Sequence, residues 1–170
     1  TVNNFEPDIE SSIDFTTTTP TILIGRNHSQ AYSSNPASPT LGAGDTLYVY
    51  DPSPINTISG ASISSSNNWA SSVTLPAGTY VMSILFSVVF TASGSMQYGF
   101  KYGQSWAGSL ASCGGDKNVY LSGGGVSVNT QTLTSDATFI FGVFAANNVA
   151  SVANQGNIPA EQSYVLIQQL

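Results

Sequence analysis

The chain has 170 residues, of which 7% are charged and 41% hydrophobic, with a formal net charge of −6 at pH 7. That is long enough for one domain whose core needs no disulfide staples, and its hydrophobicity excludes a disordered composition. The cations are Arg26, Lys101 and Lys117, too few for a basic footprint on nucleic acid or an anionic membrane surface.

Glu6, Asp8, Glu10 and Asp14 crowd the start of the chain. Residues 1–15 therefore read as an acidic N-terminal arm or shaft connection, and 16–170 as a single domain. No charged n-region leads into an apolar h-region, so no signal peptide is expected. The first short β-rich run is "TILIG" at 21–25. Residues 25–44 are polar and rich in Ser and Pro, and read as a long surface connection that holds His28 and a formal glycosylation triplet at Asn27. "TLYVYD" at 46–51 is the next β run, and "SSNNWASS" around Trp69 reads as a loop.

The turn-like "TLPAG" at 74–78 leads into "YVMSILFSVVF" at 80–90, the most apolar stretch of the chain. A membrane-spanning helix needs ~20 apolar residues, and this run is far shorter. Tyr80, Met82, Ile84, Phe86, Val88 and Phe90 alternate as a fully apolar face. The other face is Val81, Ser83, Leu85, Ser87 and Val89, apolar but carrying small hydroxyls. A strand open to water on one side shows a cleaner polar face, so the run is expected to be one strand covered on both sides. Either a partner chain or a loop from residues 25–44 could supply the cover.

"MQYGFKYG" at 96–103 alternates strictly, with Met96, Tyr98, Phe100 and Tyr102 on one face. "NVYLS" at 118–122 and "VSVNTQTL" at 126–133 read as strands split by the glycine run at 123–125. "TFIFGVFA" at 138–145 is a second apolar run with two apolar faces, and "SYVLIQQL" at 163–170 closes the chain as a strand. No segment shows a helical period over ten residues. About eight to ten short strands at this spacing predict an all-β antiparallel sandwich or barrel.

Candidate chemistry is sparse. "GQSWAG" at 103–108 approaches the Gly-x-Ser-x-Gly nucleophile elbow, but Ala107 stands where glycine is required and no helix is expected to follow. His28 is the single histidine, so a Ser-His pair has one possible base, and a transition-metal site lacks ligands. Asp45, Asp51 and Asp116 read as turn acids rather than hard-cation ligands. Cys113, the one cysteine, cannot form an intrachain disulfide and reads as an unpaired core or loop thiol. No enzyme activity, cofactor or metal is expected. Trp69 and Trp106 lie among polar residues and are the candidate ligand-loop aromatics; the alternative is that each ring caps the end of the core.

The run Pro76-x-Gly78-x-Tyr80-x-Met82, together with the terminal "SYVLIQ", resembles the C1q/TNF-like jelly-roll family, in which a strand of this kind follows a Pro-Gly turn. The closing strand lacks the family's usual glycine, and the acid clusters that bind calcium in some members have no evident counterpart. The resemblance implies a jelly-roll sandwich and a tight homotrimer whose apolar inner sheets meet on the three-fold axis. On that reading Val81, Ser83, Leu85, Ser87 and Val89 are candidate trimer-interface residues. The low charge and the Ser/Thr/Asn/Gly-rich surface resemble the heads of viral or phage spikes and fibres. The expectation is therefore attachment to a host surface protein or glycan, at the virion surface or extracellularly, without nucleic acid or membrane insertion. Alternatives are a structural trimerising tip, a capsid-decoration protein, the tip of a bacterial collagen-like filament, or a secreted C1q-like lectin module.

Overall fold

The structure is a computed structural model that describes residues 19–25, 41–86, 88–115, 120–121, 126–152 and 163–170. The acidic arm, His28, Ser87 and Asp116 lie outside the described residues, as does most of the 25–44 connection. The described residues form strands and turns, with no helix among them.

In chain order the strands are β1 (Thr21–Ile24), β2 (Val49–Tyr50), β3 (Ile55–Asn56), β4 (Ser62–Ser66), β5 (Trp69–Leu75), β6 (Gly78–Leu85) and β7 (Val88–Tyr102). They continue as β8 (Ser105–Trp106), β9 (Ala111–Gly115), β10 (Tyr120–Leu121), β11 (Ser127–Leu133), β12 (Ala137–Val152) and β13 (Tyr164–Gln169). Two antiparallel sheets result. One has five strands in the order β11-β6-β13-β1-β3. The other has eight strands along the path β10-β7-β12-β5-β2, with β4 paired on β5, and β8 and β9 on β7.

Alternation sets what each strand buries. Ile22 and Ile24 from β1, Tyr80, Met82 and Ile84 from β6, and Val165 and Ile167 from β13 point inward from the five-stranded sheet. Val73 and Leu75 from β5, Met96, Tyr98 and Phe100 from β7, and Phe139, Phe141 and Val143 from β12 meet them in one cluster. Each large side chain removed from water contributes roughly 1.5–3 kcal/mol, so this shared layer joins the sheets into a sandwich.

The Pro-x-Gly-x-Tyr run has a local reason. The Tyr80 hydroxyl donates to the Pro76 carbonyl at 2.9 Å, and a side chain at Gly78 would sit 2.9 Å from that hydroxyl. Deeper in the core, the Phe86 amide donates to the Tyr98 hydroxyl at 3.1 Å, and the two rings meet edge to face at 5.5 Å. Burial pushes the Tyr98 phenol up to about 12.

The expectation of one strand over 80–90 is corrected. β6 ends at Leu85, and β7 starts at Val88 in the other sheet, where Val88 and Val89 pair with β10 and β12. The chain crosses from sheet to sheet between them. Alternation survives the crossing because both inner faces look onto the same core. Tyr80, Met82, Ile84, Phe86 and Phe90 are all fully buried, although the run spans two sheets.

The expected loop around Trp69 is likewise corrected. It is the hairpin β4–β5, closed by Asn67 and Asn68 at φ 49° and 69°. Paired positive φ values match the twist of a tight hairpin, and Asn tolerates them better than most residues.

Candidate functional site

Among the described residues, the end of β7 builds a surface cavity. Tyr102 closes β7, Gly103 and Gln104 turn the chain, and β8 pairs back with Lys101 opposite Trp106 and Tyr102 opposite Ser105. The Ala107 amide extends this ladder to the Phe100 carbonyl at 2.9 Å. The chain then leaves β7 at Gly108 and returns to it as β9.

The excursion is clamped to β11 of the opposite sheet. The Ser109 amide donates to Asn129 Oδ1 at 2.5 Å, Asn129 Nδ2 donates to Ser127 Oγ at 2.8 Å, and the Ser127 hydroxyl donates to the Ser109 carbonyl. Asn129 and Ser127 are buried polar residues on the inner side of an edge strand, and this network satisfies them.

Between the clamp and the β11–β12 turn lies a cavity of about 330 Å³. It is lined by Tyr102, Ser105 and Trp106 of the hairpin, by Gln131 of β11 with Thr134 and Ser135 of the turn that follows, and by Phe139 of β12. Tyr102 is 50% exposed while Phe139 is buried; their rings lie 5.6 Å apart at 34°. The buried ring thus supports the exposed one. None of the lining side chains is charged.

The two candidate tryptophans part company. Trp106 is half-buried on β8. Its ring lies over the cross-strand pair Gly99 and Gly142, where a side chain on Gly142 would come 3.0 Å from it, and it meets Phe144 edge to face at 5.7 Å. Trp69 is corrected as a ligand-loop candidate. It opens β5, is 4% exposed, and packs edge to face on Tyr50 at 5.2 Å. Tyr102 and Gln131 line the cavity without a sequence signal that marks either as a ligand residue.

The interface candidates also divide. Val81 and Ser83 lie half-buried on the outer face of the five-stranded sheet, and Leu85, on the same side, is 7% exposed. Val89 belongs to the other sheet, so it cannot share a sheet face with them. Register places Val128 and Leu166 on either side of Ser83, followed by Leu23 and Ile55. This outer row is almost wholly apolar, and Val128 is 57% exposed.

The remaining reactive groups have structural partners. Asp51 is buried and accepts the Gly25 and Ser53 amides, both at 2.8 Å. Asp45 accepts the Gly42 amide at 2.7 Å. Cys113 is buried on β9, and burial pushes its thiol up to about 11, which leaves little nucleophilic thiolate near neutrality. Ser105 sits on a hairpin strand followed by an irregular segment and β9. Among the described residues, no group of three or more His, Cys, Asp or Glu could hold a metal ion. No described helix is long and apolar enough to cross a membrane. Comparison with protein-family models gives no match, and comparison with curated proteins gives none either.

Proposed function

We propose that this chain is a jelly-roll head of the C1q/TNF-like kind, that it associates as a homotrimer, and that it serves a viral or phage spike or fibre in attachment to a host surface protein or glycan. The observation that carries the reading is the outer face of the five-stranded sheet. Its central row, Val128–Ser83–Leu166–Leu23–Ile55, has one small polar member across five strands. An outer sheet face that stays in water normally alternates to polar residues; this row departs from that, whereas the neighbouring row Thr130–Val81–Gln168–Thr21 keeps to it, so the apolar stripe, with Val128 exposed at its edge, is the part of the face suited to a partner. A second and third copy of the chain supply apolar cover of the same composition, and closed rotational symmetry satisfies every copy equally.

The winding supports the jelly roll. The long strands β5, β6, β7, β11, β12 and β13 fall alternately in the eight- and the five-stranded sheet. The first and last strands of the described chain, β1 and β13, lie side by side. Three equivalent sites on one head raise avidity without a strong single site. The proposed location is the virion surface or the extracellular space.

Light scattering in dilute buffer tests the assembly. The expected mass is three times the 17.7 kDa of the chain; a clean monomer at micromolar concentration overturns it. A trimer that binds no member of a glycan array and no surface-protein array would instead be a structural tip or decoration protein.

A further inference from the structure

We infer that the cavity between the β7–β8 hairpin and the β11–β12 turn is a binding site for a neutral hexopyranose, the terminal unit of an uncharged glycan. The inference deepens the attachment reading and rests on it for the source of the ligand; the chemistry rests on the cavity alone.

Size comes first. At about 330 Å³ the cavity sits at the small end of ligand pockets, which run ~300–1,000 Å³. It therefore suits one sugar ring or two. Charge comes next. None of the lining side chains carries one, so a charged group in this half-open site would meet no charge-assisted hydrogen bond. Phosphates, sialic acids and amines are thereby disfavoured.

The lining then selects among neutral ligands. Tyr102 presents a half-exposed ring held against Phe139. The electron-rich face of an aromatic ring attracts weakly positive C–H groups, and a pyranose offers such a C–H face. Ser105, Thr134 and Ser135 also line the cavity, and each carries a hydroxyl that can donate and accept. Gln131 lies half-buried in the wall, and its side-chain amide makes no hydrogen bond among the described residues. A planar group with two donors and one acceptor oxygen matches adjacent sugar hydroxyls. A purely apolar ligand would strip water from that amide without replacing it, a net loss. The hairpin ladder and the Asn129 clamp fix both walls in advance, so little ordering is needed on binding.

Titration of the whole chain with methyl glycosides of galactose, glucose, mannose and N-acetylglucosamine, followed by calorimetry and ligand-observed NMR, tests the site. At least one is expected to bind with a dissociation constant in the millimolar range, while N-acetylneuraminic acid and glucuronic acid do not. Tyr102→Ala and Gln131→Leu are each expected to weaken binding at least tenfold. Ser135→Trp, at an exposed position that can fill the mouth without altering the core, is expected to abolish it. No saturable binding of any neutral glycoside, preferred binding of an acidic one, or unchanged affinity in folded Ser135→Trp would overturn the inference. The glycan and surface-protein arrays separate it from the parent reading. Array attachment that survives Ser135→Trp retires the cavity and leaves attachment standing. Methyl-glycoside binding lost in Ser135→Trp, with no array attachment by the wild type, retires attachment and leaves the cavity.

Discussion

Gly103 and Gly108 bracket the hairpin strand β8, and both hold positive φ, at 58° and 75°. Their surroundings differ. Nothing lies within 4 Å of where a Gly103 side chain would begin, whereas at Gly108 a Cβ would collide with the Asn129 side chain. Alanine in the left-handed region costs about 1 kcal/mol. Gly103→Ala is therefore expected to cost about that much and nothing more. Gly108→Ala adds the displacement of Asn129 and the loss of buried hydrogen bonds, each worth about 1–3 kcal/mol when left unmade. Chemical denaturation is expected to rank Gly108→Ala at least 1 kcal/mol below Gly103→Ala; equal midpoints would mean that the clamp yields freely. The same scale explains what sequence conveyed of the site. Trp69 and Trp106 have similar polar neighbours, but successive residues of a strand point to opposite faces. Polar neighbours thus say little about a ring's own burial. Tyr102 was legible only as the last member of the Met96–Tyr98–Phe100 face; its exposure follows from the core ending beside Gly103. Gln131 gave no signal, because β11 meets the hairpin only through folding.

At the scale of elements, period two was a sound guide to strand and face. With β-rich composition and turn residues it placed β1, β6, the Met96–Tyr102 part of β7, β11, β12 and β13; the inward residues of β6 and β13 and Met96, Tyr98 and Phe100 of β7 are buried, and Tyr102 at the strand end is half-exposed. It could not show the crossing at Phe86, because inner faces on opposite sides of one core continue the same apolar phase. It also missed β4–β5, whose Ser-rich strands lack the apolar contrast that pattern reading needs. The signal there was the Asn67–Asn68 pair. Both residues hold positive φ, and the Asn68 carbonyl also accepts the Asp51 amide at 2.8 Å, so the turn anchors the chain after β2. Replacing both asparagines by alanine is expected to lower stability by about 1–2 kcal/mol, since each must enter the left-handed region without asparagine's tolerance for it. Asn68→Gly is expected to be neutral or stabilising by a few tenths of a kcal/mol. Thermal melts of the two variants check this; a double alanine variant as stable as wild type would show that strand pairing, not the turn, fixes the hairpin.

At the scale of the whole molecule the question is what covers the five-stranded sheet. Leu85 is a poor probe, because at 7% exposure an aspartate there would unfold the single chain before it reported on assembly. Val128 is a better one. It stands 57% exposed on the edge strand β11, opposite Ser83 and in line with Leu166 and Leu23. In an isolated chain Val128→Asp changes a water-facing side chain and is expected to shift stability by no more than about 0.5 kcal/mol. In a trimer built on this face it places three carboxylates near the axis, each stripped of water or close to its symmetry mates. The expected outcome is a folded chain whose light-scattering mass falls from trimer to monomer at micromolar concentration. Gln97→Asp, exposed on the outer side of the eight-stranded sheet, introduces the same charge and is expected to leave the trimer intact. If both variants keep the trimer, assembly runs through another surface. If both lose it, net charge rather than this face decides association.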